Sequence, residues 1–191
     1  CAEIPISVDT TRAIVAEKAI EAGTNLINDI SAGTYDDEMF SVVADLKVPI
    51  ILMHIRGTPK TMQKLTDYQD LIGEIYKFLE SRIEVAIRAG IEREKIIIDP
   101  GIGFAKNYEQ NLEIIRNLSR FKSLNCPILV GLSRKSFIGQ ILNQPDAKQR
   151  VWGTAAGCAA AIAQYIDILR VHDVKEMSEV CQVADVIFRN K

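Results

Sequence analysis

Short apolar runs rich in β-branched residues alternate along this chain with longer stretches whose apolar positions recur every three or four residues. That alternation is the pattern of βαβ units and a parallel sheet. Six runs read as strands: 4–9, 25–30, 49–54, 95–99, 127–133 and 167–172. Their continuous apolar character predicts burial on both faces, as under two layers of helices. Helices are predicted over 11–22, 37–46, 68–89, 107–118, 147–163 and 174–186. The clearest carries Leu71, Ile75, Leu79, Ile83 and then Ala86 or Ile87 on one stripe. Gly23 and Gly90 stand where C-cap glycines belong. The small residues of 153–163 suit a helix pressed closely on its neighbours. With no linker and no low-complexity stretch, residues 1–191 read as a single α/β domain.

Each apolar run closes on chemistry: Asp9; Asn28 with Asp29; His54; Asp99; Ser133 with Lys135; Arg170 with His172. In a parallel α/β protein the carboxyl ends of the strands share one face, where ligands bind. Side chains alternate faces along a strand, so Arg170 and His172 point together, as do Gly131, Ser133 and, while strand geometry lasts, Lys135. Parity gathers Asp9, Asn28, Met53, Asp99, Lys135, Arg170 and His172 into one pocket. Asp29 and His54 then face the helices, which makes His54 a hydrogen-bonded structural histidine. Two carboxylates and a carboxamide, backed by Met53, Ile30 and Ile51, suit a flat heterocycle with several N–H donors on its edge. Arg170 and His172 suit an anion, Arg being the bidentate partner of phosphate.

Composition narrows the field. Lys and Arg number 23 against 25 Asp and Glu, for a net charge of −2, and no basic cluster offers nucleic acid a footprint. No run approaches the roughly 20 apolar residues of a membrane span. Cys1, Cys126, Cys158 and Cys181 form no CxxC pair and, with two histidines in all, make no typical structural zinc site. Reduced, mostly buried thiols in a cytoplasmic protein are expected. Gly101 and Gly103 mark a flexible strand-to-helix loop, but there is no GxxxxGK[ST] and no GxSxG, so P-loop and serine-hydrolase readings fall away.

The segments PISVDTT (5–11), NLINDIS (25–31), ILMHIRGTPKTMQ (51–63), IIIDPGIGFAK (96–106), ILVGLSRKSFIG (128–139) and DILRVHDV (167–174) resemble the dihydropteroate synthases, pterin-binding TIM-barrel transferases and sulfonamide targets. The resemblance runs through essentially the whole chain. It implies condensation of 6-hydroxymethyl-7,8-dihydropterin pyrophosphate with p-aminobenzoate to 7,8-dihydropteroate, with release of pyrophosphate, in folate biosynthesis. It implies that Asp99 and Asn28 bind the aminopyrimidinone edge, with Asp9 beside the dihydropyrazine and Lys135 at the other ring heteroatoms. Ile30, Ile51, Met53, Phe104 and Gly131 would line the slot. Phe104, the stem of Lys135 and Ser136 would touch p-aminobenzoate. Arg170 and His172 would hold the pyrophosphate, with Mg²⁺. Asp9, Lys135, Arg170 and His172 are the implied catalytic set, and a homodimer through the late helices is the implied assembly.

A TIM barrel has eight strands and typically about 250 residues, whereas six are read here. The chain is therefore expected to be the C-terminal six-eighths of such an enzyme, with the metal-associated Asn and a Thr-Arg loop preceding Cys1 and no metal ligand within it. Such a piece is expected to turn over weakly or not at all. Ala105 stands where the family usually has Gly, which costs something if the backbone there needs positive φ. Three rivals remain. A methyltetrahydrofolate:corrinoid methyltransferase would share the pterin-reading residues but has no pyrophosphate for Arg170 and His172. The others are a non-catalytic pterin-binding module and a barrel lyase or isomerase with Lys135 as Schiff base.

Overall fold

The computed structural model describes residues 4–189. Six strands follow in chain order: β1 Ser7–Asp9, β2 Leu26–Asp29, β3 Ile50–Met53, β4 Ile96–Asp99, β5 Leu129–Val130 and β6 Ile168–Leu169. β1 to β4 pair consecutively and in parallel, as do β5 and β6. A parallel bridge from Ile98 to Ile128 joins the two sets. The six strands thus form one arc in sequence order, the α/β architecture of a TIM barrel left open between β1 and β6 among the described residues.

Seven helices occupy the outside: α1 Ala13–Glu21, α2 Met39–Leu46, α3 Leu71–Arg88, α4 Tyr108–Arg116, α5 Ser136–Ile141, α6 Val151–Ala163 and α7 Val174–Arg189. α3 buries Leu71, Ile75, Leu79, Ile83 and Ala86 and leaves Ile87 on the surface, so Ala86 completes the stripe. Asp70 starts it by accepting from the Gly73 N–H at 3.1 Å, an N-cap bond. α4 opens with a capping box between Asn107 and Gln110. Gly23 and Gly90 close α1 and α3 at φ +103° and +104°, conformations that favour glycine.

Four expectations need correction. β5 and β6 are two residues each, far shorter than 127–133 and 167–172, because the chain turns away as soon as each strand has met its neighbour. Burial on both faces holds for β3 and fails for β1 and β6, which have a strand on one side only. α5 was not expected; six residues are too few to display a helical stripe. The stretch 147–163 begins as a 3₁₀ turn, Ala147–Arg150, before α6 proper. The close approach of the small-residue helix is real and lies at Gly153, where a Cβ would stand 2.3 Å from Ile138 of α5. Cys126 and Cys158 are buried, Cys181 is partly so, and all three are free; Cys1 lies outside the described residues.

Candidate active site

The parallel register sets the site in layers. Asp9 is level with Asn28, and Asn28 with Ile51, while Met53 is level with Asp99 one step higher. Ile51, 2% exposed, therefore lies below Met53 and outside the cavity lining. Asn28 Nδ2 donates to Asp9 Oδ1 at 2.8 Å, which fixes which face of the amide each end presents. Arg170, at the end of β6, reaches across the open side of the arc to Asp9 Oδ2 at 2.5 Å.

The loop after β4 supplies the opposite wall. Asp99 Oδ1 accepts from the Gly101 N–H at 2.7 Å, and Gly103 N–H donates to Asn111 Oδ1 of α4 at 2.6 Å. Gly101 has φ +71°, and a Cβ there would lie 2.0 Å from the His54 carbonyl oxygen; only glycine fits. Ala105 also takes positive φ, +52°, so the condition attached to that residue is met. Burial pushes the Asp99 carboxyl up, against the Gly101 N–H and the cations Lys135, Lys106 and Arg170, which pull it down.

Lys135 does not arrive by strand parity. β5 ends at Val130, and a turn with Arg134 at φ +60° delivers the lysine to the cavity, where its Nζ donates to the Ile102 carbonyl at 3.0 Å and lies 4.7 Å from the Phe104 ring centroid. Burial lowers the Lys135 pKa, with Asp99 acting to raise it. Arg134 binds Asp173 through Nε at 3.1 Å and Nη2 at 2.5 Å, tying this turn to the one after β6. Arg150 Nη1 donates to the Arg134 and Lys135 carbonyls at 2.9 and 3.3 Å, and its other nitrogens reach those of Gln144 and Pro145.

These residues enclose a cavity of about 440 Å³ lined by Asp9, Asn28, Ile30, Met53, Asp99, Phe104, Gly131, Lys135 and Arg170. Thr10, Thr11, Arg12 and Ile102 line it as well, and sequence reasoning passed over them. Arg12 follows the quoted PISVDTT directly and could have been found there. His172 is on an adjoining hollow that shares Gly131, Lys135 and Arg170, with its Nδ1 2.9 Å from Ser133 Oγ. Ser136 is exposed at the start of α5 and lines neither space.

Asp29 and His54 are turned away from the cavity, as parity required. Asp29 accepts from Ser31 and Gly33 N–H groups at 2.8 and 2.6 Å. His54 is buried beside Phe78, and burial together with Lys106 and Arg56 pushes its pKa down to about 2. Among the described residues no three His, Cys, Asp or Glu side chains gather as a metal-ligand set, and no helix is long and apolar enough to cross a membrane.

Such a cavity presents two acids and an amide to a donor-rich edge, apolar walls to a ring, and an arginine at its mouth to an anion. Comparison with known proteins shows the family. A dihydropteroate synthase of Synechocystis is 57% identical over 187 residues, covering 98% of this chain, and the chain spans 65% of that relative's length. The crystal structure of a Yersinia pestis dihydropteroate synthase with a sulfonamide drug complex matches 99% of this chain and 68% of its own at a TM-score of 0.95 and 39% identity. That of the Thermus thermophilus enzyme in complex with 4-aminobenzoate matches 97% of this chain and 75% of its own at 0.92 and 36%. Residues 1–172 match the family described as pterin binding enzyme, and this chain belongs to that family.

Proposed function

We propose that this chain carries, in one domain, the substrate-binding barrel of a dihydropteroate synthase. The reaction joins 6-hydroxymethyl-7,8-dihydropterin pyrophosphate to p-aminobenzoate, forming 7,8-dihydropteroate and pyrophosphate. The observation that carries the reading is the single cavity in which Asp9, Asn28, Asp99, Lys135 and Arg170 converge. Asp99 and Asn28 accept and donate along the aminopyrimidinone edge, Lys135 donates to the remaining ring heteroatoms, and Met53, Ile30 and Phe104 sandwich the ring. The Thermus relative's 4-aminobenzoate supports placing that substrate by Phe104 and the stem of Lys135.

The chemistry follows from charge. As the bond from the exocyclic methylene to pyrophosphate breaks, positive charge grows on the electron-rich ring and negative charge on the leaving group. The Asp9 carboxylate faces the first, and Arg170 and His172 face the second. The amine of p-aminobenzoate then attacks the methylene carbon and loses a proton. No nucleophilic side chain is required. Lys135 already donates to the Ile102 carbonyl and feels the charge of Asp99, which favours a hydrogen-bonding ammonium over a Schiff base. The donors at Arg170 and His172 favour a pyrophosphate-releasing enzyme over a corrinoid methyltransferase.

Magnesium belongs to this reading as an ion brought on the pyrophosphate, since the described residues form no cage of their own and magnesium commonly binds through substrate phosphates. A homodimer through α6 and α7 is supported by the exposed Trp152, Val183, Val186 and Ile187. The free thiols suit a cytoplasmic setting. The test is to incubate the full-length protein with both substrates and follow pyrophosphate and dihydropteroate together. Equal appearance of the two supports the proposal; pterin binding without either product leaves a binding module and overturns it.

A further inference from the structure

One buried cation behind the cavity is not used by the reaction above. Lys106, which ends the loop after β4, is 3% exposed. Its Nζ donates to the Phe104 carbonyl at 2.8 Å and stands 3.0 Å from Nδ1 of His54. His54 is held neutral between Lys106 and Arg56, so its Nδ1 is the acceptor and the lysine the donor. Neither partner is negatively charged, and the ion pairs among the described residues include none to Lys106. Beyond these two neutral hydrogen bonds, an ammonium placed so is stabilised only by charge at longer range. The largest such influence is Asp99, the acid at the base of the cavity.

The surroundings leave this side chain little freedom. A Cβ on Gly101 would lie 3.3 Å from Lys106 Nζ and closer still to the His54 carbonyl, so glycine, histidine and lysine pack as one block under Asp99. The groups facing Lys106 are Asp99 at the end of β4, His54 and Arg56 after β3, and Lys135 before α5. Of these only Asp99 is an acid.

We propose that Lys106 is a positioning residue for the pterin edge: its ammonium adds, from behind, to the charge by which Lys135 and Arg170 keep Asp99 an ionised acceptor, while its two hydrogen bonds hold the loop 101–106 against the end of β3. The role rests on the pterin reading given above. Burial draws the Lys106 pKa down to about 7, so the ammonium is lost as pH rises through neutrality. Asp99 then keeps only the charges of Lys135 and Arg170 and accepts less strongly.

The experiment is calorimetric binding of 6-hydroxymethyl-7,8-dihydropterin to the full-length protein between about pH 6 and pH 9, for wild type, Lys106→Gln and Lys106→Met. The glutamine keeps a donor for Phe104 and His54 without the charge; the methionine keeps only the volume. Wild-type affinity is expected to fall above neutral pH, while both variants bind about tenfold more weakly at pH 6, the scale of one charge-assisted contact, and show no fall near neutrality. Wild-type affinity in Lys106→Gln at pH 6, or the same fall retained in that variant, overturns the role and leaves the pterin reading standing. Should neither variant fold, a flat wild-type profile overturns it and a falling one supports it. A wild-type protein that does not bind the dihydropterin at any pH overturns the pterin reading itself, and the role with it.

Discussion

Arg170 and Asp9, 161 residues apart in the chain, meet at 2.5 Å across the open side of the arc and so connect the two outermost strands. The guanidinium that would hold the pyrophosphate is bound to the carboxylate that would face the pterin cation. Both side chains are more or less half exposed, at 59% and 50%, and such pairs contribute less than about 1 kcal/mol to stability.

Asp9→Asn is therefore expected to change the free energy of unfolding by less than about 1 kcal/mol while lowering turnover about a hundredfold or more. Urea denaturation and the rate of pyrophosphate release measure the two. A turnover loss matched by an equal loss of folded protein would remove Asp9 from the chemistry.

Arg150 holds four carbonyls around the turn that carries Lys135. Arg150→Met leaves these acceptors, three of them in part-buried bonds, without donors, which is expected to destabilise the protein by about 2–3 kcal/mol. The Lys135 turn loosens with it, so the KM for the pterin substrate should rise in the fraction that folds. Steady-state kinetics below the unfolding transition separates the two effects.

The two buried bases behind Asp99 make stability rise with pH, each in its own window. His54 titrates near 2 when folded and near 6.5 when unfolded, so the unfolded chain binds the extra proton and stability is lost as pH falls below about 6.5. Lys106 titrates near 7 when folded and near 10.4 when unfolded, so stability rises between those values as the burial penalty of the ammonium disappears. Chemical denaturation across pH should show the gain above 7 in wild type and its loss in Lys106→Met. That slope is opposite in sign to the change in pterin affinity expected over the same range.

Ala105 carries a Cβ at φ +52°, where an L side chain costs roughly 1 kcal/mol. Ala105→Gly is expected to stabilise the protein by about 0.5–1 kcal/mol, with pterin affinity unchanged. Thermal melts of the two proteins side by side test this; a destabilised glycine variant would mean the fully buried methyl contributes more through packing than its backbone costs.

The strand-helix alternation, the polar strand endings and the parity that separated Asp9 and Asn28 from Asp29 were all legible along the chain. They follow from local periodicity, since each residue's face is set by its immediate neighbours. The same logic misplaced the basis for Lys135, because a left-handed Arg134 after a two-residue strand carries it inward, and it gave no notice of α5. Lys106, Arg150 and Asn111 look like ordinary surface residues in the sequence. Their roles depend on which carbonyls and ring nitrogens come within 3 Å of them, and no periodicity encodes that.

What the chain alone determined is the set of chemical groups delivered to the carboxyl rim and the order in which they appear. How far apart those groups stand, which pairs touch and which charges are buried was decided only in three dimensions. The curvature accumulated over successive strand pairings brings β6 round to β1, and burial between layers, unlike alternation along a strand, is a property of residues distant in sequence.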